Sequence, residues 1–219
     1  PGKNYLNSIK NFWRVYSGIN EKSAIKCAEF LSQIINVEDY PLKRLKNTIA
    51  SESAKLLENS YRAVNIALIE EWRKFSVNMN IDLNAVLNAI RKRPTHSNIM
   101  NTGFGVGGYC LTKDPLFGKY ASKLFLNKDS TFKMSEEALK INYSMPNDLN
   151  KLVLRNISKN SKVLIVGVSY KKDIGDTRFA PSEKVINSIK QVTRKVNYYD
   201  PYLNYWEKYK INSIKDLNS

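Results

Sequence analysis

The sequence contains few of the residues that mark metal centres, disulfide-rich folds or membrane proteins. Its 219 residues include two cysteines and one histidine, so we expect neither a metal site nor a disulfide framework. No apolar run approaches the ~18 residues of a membrane-spanning helix, and no segment resembles a secretory signal. Because widely separated cysteines suit a reducing compartment, we expect a cytoplasmic protein without membrane contact.

Acidic residues are scarce relative to basic ones. The 35 Lys and Arg residues against 20 Asp and Glu give a net charge of +15, a balance that is also found in nucleic-acid-binding proteins. The positive residues are scattered, however, with only short runs such as those at 91–93 and 171–172. We therefore interpret the charge first as a solvated surface, second as attraction for a small anionic ligand, and last as nucleic-acid binding.

Glycine and proline are absent from residues 42–93, which favours long helices. We predict a helix over about 51–79 that buries one apolar stripe, and a second helix over 82–90 with Asp82 as its N-cap. The predicted stripe consists of Ala54, Leu57, Tyr61, Val64, Leu68 and Phe75. A helix of ~43 Å is long enough to span a domain and to carry a dimer contact.

The pattern changes after residue 160. An apolar run at 162–168, a helical pattern at 182–191 and a second apolar run at 195–200 predict a strand–helix–strand unit with parallel strands. The predicted fold class is therefore α/β overall: an all-α central domain with one long helix, followed by an incomplete Rossmann-like parallel α/β domain. Shorter helices are expected over 21–35, 116–125, 135–143 and 146–157, and a short strand within 13–18.

The turn after the first of these C-terminal strands is a candidate phosphate site. It contains Lys171 at the carboxyl end of the strand, where ligands bind in such sheets. It has only Gly167, however, where a dinucleotide fingerprint needs three glycines, and Asp200 lies too far along the chain. Phosphate binding by Lys171 and backbone N–H groups, and a purely structural turn, both remain open.

The stretch 103–115 (GFGVGGYCLTKDP) concentrates chemistry in thirteen residues. Glycines let a backbone approach a ligand, and Cys110 just behind them is a candidate nucleophile if nearby charge favours its thiolate. Lys113 is a candidate for that charge, and Asp114 for orienting a group or exchanging a proton. A glycine-rich turn with a small buried thiol carries equal weight from the residues alone.

One face of the predicted long helix presents Lys55, Asn59 and Arg62, which are spaced i, i+4 and i+7. From spacing alone, a solvated stripe is the simpler interpretation.

Three stretches, in the same order, resemble the UDP-glucose/GDP-mannose dehydrogenase family. Residues 103–115 are similar to its catalytic-cysteine loop, and 54–65 (AKLLENSYRAVN) to its central helix. Residues 167–173 (GVSYKKD) and 176–182 (DTRFAPS) are similar to the start of its UDP-binding domain.

This resemblance implies an enzyme that oxidises the C6 alcohol of a UDP-sugar twice, with two NAD⁺ consumed. It implies that Cys110 captures the intermediate aldehyde, that Lys55 and Asn59 steady the developing oxyanion and the water, and that Asp114 assists proton transfer. The implied substrate contacts are Gly105, Gly107, Gly108, Tyr109, Lys113 and Lys171. Arg178 is implied near the cofactor.

The resemblance also implies a domain organisation. Residues 1–20 match the end of an N-terminal NAD-binding domain, 21–158 the central helical domain through which a homodimer forms, and 159–219 a shortened UDP-binding domain. We therefore expect a fragment that cannot complete hydride transfer alone. The family's loop arginine, which reaches a neighbouring subunit's substrate, is not cleanly placed: Arg91 and Arg93 lie near, but Pro94 occupies the expected spacing.

The substrate is expected to be a UDP-N-acetylhexosamine, since 56–68 is more similar to that branch, while 109–114 is equally compatible with UDP-glucose. The rival from another class is a basic helical dimerisation or nucleic-acid-binding module without chemistry, whose binding would fall steeply with salt.

Overall fold

The computed structural model describes residues 4–129 and 131–215. The chain forms two compact units, 1–58 and 59–219. The boundaries inferred from the sequence at 20/21 and 158/159 stay predictions, and residues 1–3, 130 and 216–219 of those domains lie outside the described residues.

The first unit contains a short parallel strand pair and two helices. Its elements are α1 (Tyr5–Lys10), β1 (Val15–Tyr16), α2 (Glu21–Ser32) and β2 (Lys43–Arg44). Helix α2 begins at a capping box, in which the Asn20 side chain accepts from the Ser23 N–H and the Ser23 hydroxyl accepts from the Asn20 N–H. Helix α1 was not predicted, whereas β1 and α2 were.

The long helix α3 (Thr48–Asn78) has 31 residues, but the prediction of a buried apolar stripe was wrong. Leu57 is 70% exposed, and Tyr61, Leu68 and Phe75 are also exposed. The buried positions are Asn59, Ala63, Ala67, Ile69, Glu70 and Ser76. Periodicity identified side chains that share a face, but the described chain packs against the opposite face, where small residues allow close approach.

Four further helices follow in the second unit: α4 (Leu83–Ile90), α5 (Phe117–Leu126), α6 (Lys133–Ser144) and α7 (Pro146–Asn156). Asp82 caps α4 as predicted, because its carboxylate accepts from the Ala85 N–H at 3.1 Å. Arg73 ties α3 to α7, donating to buried Glu70 and to Asp148, each at 2.7 Å. These bonds hold α3 and α7 together.

The C-terminal part confirms the predicted strand–helix–strand unit. Strands β3 (Val163–Val166) and β4 (Val196–Tyr199) pair in parallel, with Val163 opposite Val196, and α8 (Pro181–Lys190) connects them. A short antiparallel pair, β5 (Tyr205–Trp206) and β6 (Ile211–Asn212), follows. The core on this side consists of Val168, Val185, Ile186, Ile189, Val196, Tyr198 and Trp206.

Candidate functional site

The loop 103–115 exposes Cys110 at a tight bend. The carbonyl of Cys110 accepts from the N–H groups of Lys113 and Asp114, at 3.2 and 2.9 Å. The Thr112 hydroxyl donates to the carbonyl of Gly108 at 2.8 Å. These bonds close the turn around Cys110, which is exposed. The thiol is therefore not the buried residue that the alternative interpretation required.

A buried hydrogen bond anchors the C-terminal end of this loop to α3. The Asn59 amide donates to Asp114 Oδ2 at 2.8 Å, and both residues are more than nine-tenths buried. The Lys113 ammonium donates to the other carboxylate oxygen at 2.8 Å and lies 4.6 Å from the centroid of the Phe117 ring. Asp114 is thus held from two sides, and the structure brings together three residues that the sequence singled out.

The glycines of the loop face the segment that joins β3 to α8. A Cβ atom on Gly107 would lie 2.6 Å from the Cβ of Tyr170 and 2.7 Å from the carbonyl oxygen of Phe179. Gly108 has φ +79° and lies equally close to the Tyr170 ring. Gly105, with φ +146°, abuts Pro181 in the same way. The close approach that these glycines permit is therefore, in the described chain, an approach to the α/β part of the protein itself.

Two side chains of the same segment hold Tyr109, the residue directly before Cys110. The Tyr109 and Phe179 rings meet edge to face, with centroids 4.9 Å apart and an interplanar angle of 80°. The Arg178 guanidinium carbon lies 4.9 Å from the Tyr109 ring centroid, and the Arg178 carbonyl accepts from the Gly108 N–H at 3.0 Å. Sequence reasoning missed Phe179, since nothing local links it to a residue seventy positions earlier.

Arg178 is itself fixed by a carboxylate. Its Nε and Nη2 donate to Asp176 Oδ1 and Oδ2, at 2.9 and 2.6 Å. These hydrogen bonds lower the pKa of Asp176 and raise the pKa of Arg178. The pair therefore stays ionised and keeps the guanidinium over Tyr109.

Three backbone N–H groups of the turn after β3, those of Val168, Ser169 and Tyr170, are bonded within the chain. Buried Asp200 accepts from the N–H groups of Val168 and Ser169, at 3.0 and 3.2 Å. The Tyr170 N–H donates to the Asp176 carbonyl at 2.9 Å. These three donors are therefore already bonded, whereas the side chain of Lys171 is exposed.

Other predicted residues have partners elsewhere. Lys55, in the first unit, forms an ion pair with Glu58 at 3.2 Å. Arg91 donates to the carbonyls of Ile99 and Met100 and to the Asn101 side chain, and so holds the chain that leads into the Cys110 loop.

A cavity of about 620 Å³ adjoins the Cys110 loop, a size typical of ligand sites. Tyr109 and Lys113 line it from the loop, Asn142 from the end of α6, and Phe179 and Lys184 from the start of α8. Burial lowers the pKa of Lys184. The Asn142 amide donates to the Ala63 carbonyl at 3.0 Å, and its buried Oδ1 has no partner among the described residues.

Within residues 4–129 and 131–215, no group of three or more His, Cys, Asp or Glu is arranged to hold a metal ion. In the same ranges, no helix is both long enough and apolar enough to cross a membrane.

Comparison with known proteins agrees with this fold and identifies a family. The sequence model of the UDP-glucose/GDP-mannose dehydrogenase family, central domain, matches residues 49–144, and that of the family's UDP binding domain matches residues 164–219. A UDP-N-acetyl-D-mannosamine dehydrogenase of Methanococcus aeolicus is 33% identical over 99% of this chain and 47% of its own length. The protein of that name in Methanocaldococcus jannaschii is 34% identical over 92% of this chain and 44% of its own.

A solved structure of a UDP-D-ManNAc dehydrogenase from Pyrococcus horikoshii superposes with a TM-score of 0.78 at 25% identity, covering 98% of this chain and 48% of that one. This likeness confirms the predicted fold class. The chain spans about half the length of the curated relatives it matches. The ordered motifs, the two family models and the shared fold establish that the chain belongs to the UDP-glucose/GDP-mannose dehydrogenase family.

Proposed function

We propose that this chain forms part of an NAD-dependent nucleotide-sugar 6-dehydrogenase that oxidises the C6 alcohol of a UDP-N-acetylhexosamine to the carboxylate, a step in making polysaccharide precursors. The observation that carries the proposal is the exposed thiol of Cys110 on a loop fixed from two sides. Asn59 bonds to Asp114 on one side, and Arg178 bonds to Gly108 on the other. The relatives named for UDP-N-acetyl-D-mannosamine favour this substrate over UDP-glucose, the second candidate.

In this proposal Cys110 Sγ forms a bond to C6 of the intermediate aldehyde, giving a thiohemiacetal. Loss of a hydride from that carbon leaves a thioester, and water then displaces the sulfur and releases the carboxylate. NAD⁺, when bound, accepts the hydride of each of the two oxidations. The residue of this chain proposed to contact it is Arg178, whose side chain is 61% exposed and therefore accessible to an anionic diphosphate.

The polar residues around Cys110 have distinct proposed roles. Asp114, held by Asn59 and Lys113, is a carboxylate in a defined place beside the loop and assists proton transfer. Lys55 and Asn59 present a cation and an amide to the oxygen on which negative charge develops, an interaction that contributes about 3 kcal/mol to lowering such barriers. Their spacing of four residues on α3 supports a shared face.

The proposed UDP-sugar site uses the loop and the turn after β3. The backbone of Gly105, Gly107 and Gly108, together with Tyr109 and Lys113, forms its loop side. The phosphates are proposed to bind Lys171, whose side chain is exposed at a turn where the Val168, Ser169 and Tyr170 amides are already bonded within the chain. Asn142 lines the adjoining cavity.

Replacing Lys171 with methionine should weaken binding of UDP to this chain by about tenfold or more, since a hydrogen bond to a charged group contributes about 1.5–3 kcal/mol. Lys172→Met is the matched control, because that neighbouring lysine is equally exposed, and it should change the Kd by less than about twofold. Isothermal titration with UDP, UDP-N-acetylglucosamine and UDP-glucose measures both variants. Absence of UDP binding to the wild-type chain, or equal losses in the two variants, would contradict the proposal.

The basic helical module without chemistry remains the alternative from another class. It predicts that a duplex oligonucleotide binds with an affinity that falls steeply between low and moderate salt, and that UDP-sugars do not bind.

We propose in addition that the exposed face of α3 pairs with a second copy of the chain. Five large apolar residues lie along this face and are exposed in the single chain: Tyr61, Leu68, Trp72, Phe75 and, directly after the end of α3, Met79. Successive members of this set are seven, four, three and four residues apart, which is the pattern of a helix–helix seam. An exposed face of large apolar side chains is typical of a protein–protein interface, and pairing with the same face of a second copy would remove these side chains from water.

Phe75→Glu should therefore convert a dimer into a monomer. Val77→Glu is the control, since Val77 is also apolar and exposed but lies on the opposite side of the helix. Light scattering during size-exclusion chromatography reports the mass directly. A monomeric wild-type chain at high concentration, or dissociation of both variants, would argue against pairing through this face.

A further inference from the structure

The residue before the reactive thiol is held in place by a contact that the proposed chemistry does not need. Tyr109 packs edge to face on Phe179 and lies under the guanidinium of Arg178. The N–H of Gly108, one position earlier, donates to the Arg178 carbonyl at 3.0 Å. These three contacts, which we name the aromatic clamp, fix backbone and side chain immediately next to Cys110.

The clamp depends on an unusual backbone conformation. Phe179 has φ +54°, a left-handed conformation that a bulky residue rarely adopts. The conformation turns the Phe179 ring toward Tyr109 and its carbonyl oxygen toward Gly107. Arg178 donates to the Asp176 carboxylate, and the Ala180 N–H donates to the Thr177 carbonyl, so the conformation is supported on both sides. Backbone strain that is retained in this way is concentrated at functional sites.

The clamp contributes little to the core. Phe179 is 55% exposed and Tyr109 is 47% exposed, so neither ring belongs to the buried apolar cluster of the α/β part. The contact instead determines the direction of the chain at Tyr109. Cys110 is the next residue, and consecutive Cα atoms are only ~3.8 Å apart. A rotation at Tyr109 therefore moves the Cys110 thiol directly.

We propose that Phe179 is a positioning residue for Cys110: its ring fixes Tyr109 and thereby the orientation of the thiol toward the sugar carbon. This inference rests on the proposed function, in which Cys110 attacks that carbon. Displacements near 1 Å at a reacting atom have large effects on rate. The clamp also makes the position of the thiol depend on the α/β part, because Arg178 and Phe179 both belong to the segment between β3 and α8.

The test compares Phe179→Leu, which keeps an apolar side chain but removes the ring, with Phe179→Tyr, which keeps the ring. Iodoacetamide labelling of Cys110 is followed by mass spectrometry in the full chain, across a pH series, with and without UDP-N-acetylglucosamine. Phe179→Leu should change the ligand-free Cys110 labelling rate by about three- to tenfold, the range expected for loss of an aromatic pair. Phe179→Tyr should keep the wild-type labelling rate and the wild-type pH profile of labelling.

Three controls separate positioning from general destabilisation. Labelling of Cys27 and the melting temperature should stay unchanged in Phe179→Leu. Phe125→Leu makes the same change at a phenylalanine that is 77% exposed, lies near the end of α5 and takes no part in the clamp contacts, and should not alter Cys110. Tyr109→Leu should change the labelling rate in the same direction as Phe179→Leu, and the double variant should match Tyr109→Leu alone, because Tyr109→Leu already removes the ring that Phe179 contacts.

Equal Cys110 rates in the wild type and Phe179→Leu would overturn the inference, and so would failure of Phe179→Tyr to keep the wild-type rate. These ligand-free rates decide the positioning role independently of substrate. Absence of UDP-sugar protection in the wild type, by contrast, would count against the proposed function.

Discussion

Gly107→Ala is expected to displace the Cys110 loop, whereas Gly103→Ala leaves it in place. The two glycines lie four residues apart in the same loop, but their surroundings differ. A Cβ on Gly107 would lie within 2.7 Å of both the Phe179 carbonyl oxygen and the Tyr170 Cβ, while a Cβ on Gly103 would meet no atom within 4 Å. Because the Tyr170 and Phe179 atoms belong to or adjoin the backbone, neither can swing aside.

The expected cost of Gly107→Ala is about 1–3 kcal/mol in the free energy of unfolding, as for other overpacked sites. Gly103→Ala should be neutral or slightly stabilising, since alanine restricts the unfolded chain. Urea unfolding measures the difference, and the iodoacetamide labelling rate of Cys110 reports whether the loop has moved. Two variants of equal stability and equal labelling rate would show that the loop does not pack against the β3–α8 segment.

Asn59→Asp is expected to destabilise the protein strongly at neutral pH. The substitution replaces the amide that donates to Asp114 Oδ2 at 2.8 Å with a second carboxylate, at a place where both residues are nearly inaccessible to water. Loss of the donor and repulsion between two buried carboxylates together cost about 3 kcal/mol or more.

The penalty of Asn59→Asp should shrink as the pH is lowered toward about 4, because one proton shared by the two carboxyl groups restores a donor. Asn88→Asp is the control: Asn88 is exposed, and its Oδ1 already accepts from Arg91, so the change should stay within about 0.5 kcal/mol. Urea unfolding at several pH values measures both. A pH-independent loss in Asn59→Asp, or equal losses in the two variants, would contradict the arrangement.

The elements that local rules govern could be predicted from the sequence. The long helix, the parallel strand pair and the Asp82 cap each follow from spacing or from a capping residue within a few positions. The Asn59 and Asp114 roles came from the family resemblance, and their direct hydrogen bond is consistent with it.

Features that depend on distant parts of the chain could not be predicted. The Tyr109–Phe179 contact joins residues that are seventy positions apart. The Asp200 carboxylate accepts from the N–H groups of Val168 and Ser169, which precede it by more than thirty residues. The prediction that the apolar stripe of α3 is buried was wrong for a different reason. Periodicity shows that Leu68 and Phe75 share a face, but it does not show what covers that face.

The most direct test of the account is to label Cys110 and Cys27 in the same chain, with and without a UDP-N-acetylhexosamine. Cys110 is exposed and Cys27 is half-buried in α2, so Cys27 serves as the internal reference. The account predicts that Cys110 reacts faster than Cys27, and that ligand at ten times its Kd slows Cys110 labelling about elevenfold without affecting Cys27. Equal labelling of the two cysteines, unchanged by the UDP-sugar, would contradict the account.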